Sequence, residues 1–353
     1  MLKAIKGPAD TKTGPVFTAL FLLWVAVFLS ACTPAPETWQ LSGRTMGTSY
    51  HITVVQVPAG SDRETLQQLI DSELQQVNQE MSTYIDDSEL MRFNHSPVGQ
   101  RVPISQYLAS VLEMSLDIYR RSDGAFEVTV GPLVNLWGFG SRPEPESIPS
   151  DVEIAGLLEI VGSDALTLTR GPDTVTKSRT VEVDLSAIAK GHGVDRVAVL
   201  LEQQGIFNYL VEIGGELRTL GVNPKGKAWR IGIETPGTAG QIVQEPILVS
   251  GRAVATSGDY RNYYERGGVR YSHSIDPRTG RSLKHKLVSV TVIDDTCAEA
   301  DGLATALNVL GAEAGMAMAE RDKLAVFMLV KTDDGFEERY SSAFAPYLER
   351  SEK

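Results

Sequence analysis

The order of strand-type and helix-type stretches restricts this chain more than any other feature. Between Trp39 and Val330 they follow one another irregularly, with no repeated strand–helix–strand rhythm. A doubly wound parallel sheet needs that rhythm, because each parallel connection crosses over, usually through a helix. The pattern therefore predicts an α+β fold, with mixed or antiparallel sheets packed against helices. Alternation at Tyr50, Ile52 and Val54 makes Trp39–Val57 one or two strands. Ser61-Asp62 precedes a helix expected over Arg63–Met81, with Leu66, Leu69, Ile70, Leu74 and Val77 on one face. Further helices are expected at Ile104–Arg121, stopped by Asp123-Gly124, and at Asp151–Ile160, Ile188–Gln204, Ala298–Leu310 and Ala312–Arg321. Strands are expected near Ala165–Thr169 and Thr180–Val183, then within Asn208–Ile233, with turns at Gly214-Gly215 and Pro224-Lys225-Gly226. Four more follow at Ile247–Val249, Ala253–Thr256, Tyr271–Ile275 and Leu287–Val292, and Leu324–Val330 reads as a buried strand. Arg142–Pro149 is a proline-rich surface loop, and Ala343–Glu352 is helix-like. No linker interrupts residues 39–350, which read as one domain with room for two lobes.

The first residues carry an address rather than a fold. Lys3, Lys6 and Lys12 precede an apolar run from Val16 to Leu29, too short to be a comfortable membrane span. Leu29-Ser30-Ala31-Cys32 then looks like a bacterial lipobox, in which the cysteine is acylated and becomes the mature N-terminus. An uncleaved anchor with an incidental cysteine is the alternative. On the lipobox reading, residues 1–31 are a signal peptide, and 32–38 are a lipidated Cys32 and a short tether. The mature protein then works outside the cytoplasm, held to a membrane by lipid. Its one remaining thiol is Cys297, so no intrachain disulfide can form.

Composition removes several functional classes. Asp and Glu number 45 against 33 Lys and Arg, a formal net charge of −12, which argues against a nucleic-acid partner. Five histidines, and no His-Glu-x-x-His or Cys/His cluster, make zinc a poor expectation. No Walker motif and no Gly-x-Ser-x-Gly elbow is present.

Three segments carry residues suited to chemistry. Asp184 to Asp195 leaves a strand and enters a helix, whose free N–H groups, with Lys190 and Gly191, suit a phosphate. Ordinary capping by Asp184 or Ser186 beside a solvated Lys190 would account for it equally well. Asp301 and Thr305 stand four apart on an expected helix, so both oxygens share a face. Together with a backbone carbonyl they would form a hard-oxygen set for Mg²⁺ or Ca²⁺; helix capping and a buried Thr are the alternative. Tyr271–Gly280 ends a strand in a turn holding His273, and histidine is the usual general base for a hydroxyl. A hydrogen-bonded turn with a structural His is the competing reading.

Along nearly the whole mature chain the sequence resembles the FAD:protein FMN transferases, the ApbE family of periplasmic flavin-transferring lipoproteins. The matching blocks are RTMGTSY at Arg44–Tyr50, MSTY at Met81–Tyr84 and SDGAFEVTVGPLVNLWGFG at Ser122–Gly140. VDLSAIAKGHGVDRVA follows at Val183–Ala198, YLVEIGGELRTLGVNPKGKAW at Tyr209–Trp229 and ATSGDYRNYY at Ala255–Tyr264. YSHSIDPRTG at Tyr271–Gly280 and ADGLATAL at Ala300–Leu307 complete the set.

The resemblance implies an α+β fold and a Mg²⁺-dependent reaction. In it, FAD and a threonine or serine hydroxyl of a partner give phosphodiester-linked FMN and AMP. It further implies Ala187, Asp301 and Thr305 as metal ligands, with Lys190 assisting and His273 as candidate base. Met46, Tyr84, Ala125, Phe126, Glu127, Asp184, Lys190 and Ile275 fall where the family holds FAD. Tyr84 and Phe126 are the candidates for flat faces against a ring. Acceptors of the family lie on Na⁺-pumping NADH:quinone reductase or Rnf-type complexes, at the periplasmic side of the inner membrane. Two positions depart from the pattern. Glu127 stands where many relatives carry Asp. Thr33 follows Cys32 where the usual inner-membrane retention signal is Asp, which leaves outer-membrane sorting open. Two competing activities stay open: an FAD pyrophosphatase using water, with Asp294, Asp295 and Glu299 as a conceivable second cation site, and a flavin-binding lipoprotein without turnover.

Overall fold

The computed structural model describes residues 37–348, apart from 141–143, 146, 237–241 and 259–262; for 234–236 and 242–245 it describes the backbone alone. The lipobox, most of the tether, part of the Arg142–Pro149 loop and residues 349–353 lie outside the described residues. In chain order β1 (Thr38–Thr45) and β2 (Thr48–Val55) form a hairpin, followed by α1 (Arg63–Met81), α2 (Glu89–Asn94), β3 (Val102–Pro103) and α3 (Gln106–Arg121). Then come α4 (Gly131–Leu136), α5 (Asp151–Leu158), β4 (Leu166–Thr169), β5 (Thr174–Lys177) and α6 (Ala189–Gln203). The strands β6 (Tyr209–Ile213), β7 (Glu216–Leu220), β8 (Trp229–Pro236), β9 (Ile242–Val249) and β10 (Ala253–Gly258) follow. After them lie β11 (Tyr263–Arg266), β12 (Val269–Ser272), β13 (Ile275–Asp276), β14 (Arg281–Ser282) and β15 (Leu287–Asp294). The chain closes with α7 (Cys297–Asp322), β16 (Ala325–Lys331) and β17 (Phe336–Tyr340).

An eight-stranded sheet in the order β1-β2-β6-β7-β10-β15-β16-β17 is the frame, and every neighbouring pair in it is antiparallel. The α+β class expected from the irregular element order is the class observed. Side chains alternate across this sheet. Val326, Met328 and Val330 face the helical layer, while Ala325 and Phe327 face a second layer with Trp229, Ile247 and Phe344. With both faces covered, β16 is apolar along its length, which is why it reads as a buried strand.

Helix α1 occupies the expected residues, because Asp62 accepts the Thr65 N–H at 2.7 Å and Leu66, Ile70, Leu74 and Val77 form a buried stripe. The long helix α7 is two helices joined at Gly311, whose φ of 79° and ψ of 177° lie outside helical space. The strand expected at Thr180–Val183 is absent. Val183 pairs instead with a side chain: its N–H donates to Asn94 Oδ1 at 2.8 Å, and its carbonyl accepts Asn94 Nδ2 at 2.9 Å. A carboxamide thus does the work of a neighbouring strand, and the ladder falls at β5. Of the helix-like tail, the described part is a 3₁₀ turn at Ala345–Tyr347, and Leu348 pairs with Ile247.

Helix α6 is pinned to α1 and α3 by a buried cation. Arg196 reaches Glu73 at 2.5 Å and Glu80 at 3.0 Å, and lies 3.4 Å from the centre of the Tyr107 ring. His192, one turn earlier, is buried with Nε2 unpartnered among the described residues. Burial, and then the neighbouring Arg196, push its pKa down to about 4. In the unfolded chain a histidine takes up its proton near roughly 6.5. Below that pH the unfolded state binds more protons, so the stability linked to His192 is complete above pH ~6.5 and lost as pH falls toward 4. Moving from pH 7.5 to pH 5 should therefore cost the wild type about 2 kcal/mol more than it costs His192→Leu. Urea unfolding of both proteins at the two pH values checks this; equal losses would contradict it.

Candidate functional site

Two helix starts meet at the centre of the fold. The chain reaches α6 through Asp184, whose N–H donates to the Val128 carbonyl at 2.7 Å and whose carboxylate accepts the Ser186 N–H at 2.8 Å. Beside it begins α7, where Thr296 accepts the Glu299 N–H at 3.3 Å. The first free N–H groups of each helix are then satisfied by an aspartate of the other. Asp195 of α6 accepts the Cys297 N–H at 3.0 Å and the Ala298 N–H at 2.9 Å. Asp301 of α7 accepts the Gly191 N–H at 3.0 Å. Backbones approach so closely that a Cβ on Gly191 would stand 2.3 Å from the Cys297 carbonyl oxygen.

Strand β7 supplies the charges that face this junction. Glu216 and Arg218, two residues apart, share a face of the strand. Glu216 pairs with Lys190 at 2.6 Å, and Lys190 lies 3.9 Å from Asp301. Arg218 pairs with Asp195 at 3.0 Å. Asp301 and Glu216 are only 5 % and 3 % exposed, so two buried carboxylates share one ammonium. Burial alone would lower the Lys190 pKa, but Asp301 and Glu216 hold it above the usual lysine value. Burial, and then Asp301, push Glu216 up to about 7. Burial likewise raises Asp301, against the pull of Lys190 and the Gly191 N–H. Glu216 Oε2 has no hydrogen-bond partner among the described residues. The pocket thus holds an excess of buried negative charge, the condition that a bound cation relieves. Among the described residues no cluster of three His, Cys, Asp or Glu side chains could hold a metal. Asp301 and Thr305 stand one turn apart on α7, and Ala187 lies just before the start of α6; these are the ligands that the family resemblance implies.

Other expected residues gather around the same helix. His273 and Ser274 form the break between β12 and β13, and the Ser274 hydroxyl accepts Asn308 Nδ2 at 3.3 Å. Asn308 lies one further turn along the α7 face that carries Asp301 and Thr305. The His273 ring meets Phe139 edge-on at 6.4 Å, next to stacked Tyr264 and Tyr271. Met46 sits at the β1–β2 turn with φ 48°, its methyl against Gly193 of α6. Tyr84 is 78 % exposed and offers an open ring face. Ile275 is buried against Leu133, Trp137 and Ile154.

Two of the expected residues are also engaged within the fold. Phe126 is 1 % exposed in the main core, near Gly302 of α7, so its ring packs the helix. Glu127 is also buried, and its carboxylate is occupied. It accepts the Thr129 N–H and hydroxyl at 2.8 Å each, the Ser163 N–H at 2.8 Å and the Ser163 hydroxyl. That side chain fastens the Ser122–Thr129 segment to the turn at Ser163.

The acidic turn after β15 is neutralised by arginines: Asp295 pairs with Arg252, and Glu299 with Arg121 at 2.9 Å. Of the remaining histidines, His51 pairs with Glu212 at the surface and His285 bonds the Asn308 carbonyl. Sequence reasoning passed over Glu216, Asp195, Arg218 and Asn308 as functional candidates. The available signal was in β7, where Glu216 holds a core-facing position of a strand, which is costly without a partner.

The class is defined by an antiparallel α+β frame in which two helix starts exchange aspartate caps beside the buried Lys190, Glu216 and Asp301. The chain belongs to the ApbE family, whose sequence model matches residues 46–328. It is 49 % identical over 325 residues to the FAD:protein FMN transferase of Vibrio cholerae, covering 92 % of this chain and 97 % of that one. The FAD:protein FMN transferase of Escherichia coli K12 is 40 % identical over 343 residues, covering 94 % and 97 %. Among solved structures, the flavin transferase ApbE from Vibrio cholerae superposes with a TM-score of 0.83 at 50 % identity, over 89 % of this chain and all of that one. The apo flavinyl transferase ApbE of Pseudomonas stutzeri gives 0.83 at 38 % identity, over 91 % and 99 %.

The tight crossing at Gly191 yields a direct prediction. Gly191→Ala should push α6 and α7 apart, lowering the melting temperature and reducing transfer from FAD by at least tenfold. Thermal unfolding and a rate assay on the same preparation check this; a wild-type rate would contradict it.

Proposed function

We propose that this chain moves the FMN half of FAD onto a threonine or serine hydroxyl of a partner protein, forming a phosphodiester and releasing AMP. Its relatives across the whole mature length are FAD:protein FMN transferases, and the chain is an enzyme of that kind. The observation that carries the finer reading is the junction of α6 and α7. There one ammonium, Lys190, is shared by the two buried carboxylates of Asp301 and Glu216, a surplus of buried negative charge. A pyrophosphate alone would be repelled by that surplus; a pyrophosphate with a divalent cation would be held.

In the proposed reaction the acceptor oxygen attacks the FMN-side phosphorus, and the bond from that phosphorus to the AMP oxygen breaks in line. His273 takes the hydroxyl proton and AMP departs with the bridging oxygen. Lys190, fixed by Glu216, lends positive charge to the phosphoryl oxygens. Asp301, Thr305 and the Ala187 carbonyl would hold Mg²⁺, or Ca²⁺ in its place, and the ion supplies charge neutralisation at the phosphates. Met46, Asp184, Ile275 and the Ala125–Phe126 backbone bound the FAD site, and exposed Tyr84 is the ring platform. Glu127 shapes that site from behind. Support for the cellular setting is in the sequence: lipidation at Cys32 would hold the enzyme at the periplasmic face of the inner membrane. Acceptor subunits of Na⁺-pumping NADH:quinone reductase or Rnf-type complexes would be within its reach there.

Mass spectrometry of such an acceptor subunit, incubated with the protein, FAD and Mg²⁺, tests the proposal. A gain equal to FMN minus water on one threonine or serine is the expected result. Free FMN and AMP without any gain would replace transfer by hydrolysis, and intact FAD would leave a binding protein. His273→Ala should slow transfer by roughly 10²–10⁴-fold while FAD still binds. Asp301→Ala should abolish it and weaken cation binding. Loss of FAD binding in His273→Ala would make that residue a binding group instead of a base.

A further inference from the structure

We infer that Asp195 is a positioning residue for the metal site, acting through the backbone of α7. The inference rests on the cation reading of Asp301, Thr305 and Ala187 given above. Asp195 lies on the second turn of α6, outside the pocket, and contributes nothing to it directly. Its two carboxylate oxygens accept separate backbone bonds, Oδ1 from Cys297 and Oδ2 from Ala298, at the first turn of α7. Those are the residues immediately before the turn that carries Asp301. Three constraints therefore fix where Asp301 and Thr305 stand relative to Ala187. Asp195 draws the start of α7 onto α6, the Gly191 N–H draws Asp301 in the same direction, and contact of Gly191 with the Cys297 carbonyl sets the limit of approach. Arg218 pairs with the Asp195 carboxylate at 3.0 Å and orients it, and Glu202 shares the same guanidinium at 3.6 Å.

A carboxylate is needed here, since one residue must accept two N–H groups and keep a guanidinium in place. Helix α7 already has its own cap in Thr296, so the bonds to Asp195 are not required merely to start the helix. Their particular effect is to join the ligand-bearing helix to the segment that presents the Ala187 carbonyl. Partners that orient metal ligands typically change metal affinity by about 10–100-fold when removed.

The test uses the full-length protein with three sequences: wild type, Asp195→Asn, and Val197→Ala. Asparagine keeps one acceptor oxygen and the shape, and loses the second acceptor and the charge. Val197 is buried in the core on the same helix, and its truncation destabilises α6 while leaving the bonds from Asp195 in place. Two quantities are read: the Mg²⁺ concentration giving half-maximal AMP release from FAD, and amide hydrogen exchange in the peptide spanning residues 297–305. Asp195→Asn should raise the half-saturating Mg²⁺ at least tenfold, with the rate largely recovered at saturating Mg²⁺. It should also speed exchange at 297–305 more than elsewhere. Val197→Ala should change neither. Faster local exchange with unchanged Mg²⁺ dependence would reduce Asp195 to a structural cap and overturn the inference. Unchanged exchange would overturn it as well, since the bonds would then not hold the helix. A wild-type rate indifferent to Mg²⁺ would instead remove the metal reading on which the inference stands, whatever the exchange pattern.

Discussion

The structure depends on an exchange of hydrogen bonds between two helices. Asp195 on α6 caps α7, and Asp301 on α7 caps α6. Each aspartate is mostly buried, and a buried carboxylate is tolerated when N–H groups and a nearby cation satisfy it. Here both sets of N–H groups come from helix starts, where the backbone has donors to spare and the helix dipole favours negative charge. The exchange requires the two backbones to touch, and Gly191 makes that possible. Asp301 is then both a structural cap and the expected metal ligand, with one oxygen toward Gly191 and the other toward Lys190.

Strand β7 connects that junction to the frame. Glu216 and Arg218 reach α6 from one face of the strand, one through Lys190 and the other through Asp195. The large antiparallel sheet keeps β7 in its interior, between β6 and β10. A rigid scaffold thus holds a mobile, long side chain such as Lys190 in one place. The reactive junction sits where the helical layer crosses the sheet, and the His273 segment is tied to the same α7 face by Asn308 and Ser274. Chemistry on a pyrophosphate needs few reactive groups and much positioning, which is the balance of residues found here.

Much of this was legible in the sequence, for physical reasons that differ by element. Helix α1 was readable because its buried stripe and its cap at Asp62 point the same way. The break at Gly311 was readable because glycine alone adopts such a positive φ at little cost. The segment Thr180–Val183 was not, since strand-like residues satisfied their hydrogen bonds on the side chain of Asn94, distant in sequence. Motif blocks carried Lys190, His273, Asp301 and Thr305, but not the orientation of side chains. That Phe126 is packed in the core and that Glu127 bonds Ser163 come from the fold and not from any motif. Asp195 and Glu216 were missed because their roles come from partners over twenty residues away, which no local pattern encodes.

The central claim is that the carboxylate-excess pocket between α6 and α7 is a cation site. The most direct measurement is anomalous diffraction from crystals of the protein grown with Mn²⁺ as a visible stand-in for Mg²⁺. The account predicts a peak at roughly 2.0–2.3 Å from an Asp301 carboxylate oxygen, with the Thr305 hydroxyl and Ala187 carbonyl also within coordination distance. A fully occupied peak elsewhere, for instance at Asp294 and Asp295, with none at Asp301, would contradict it.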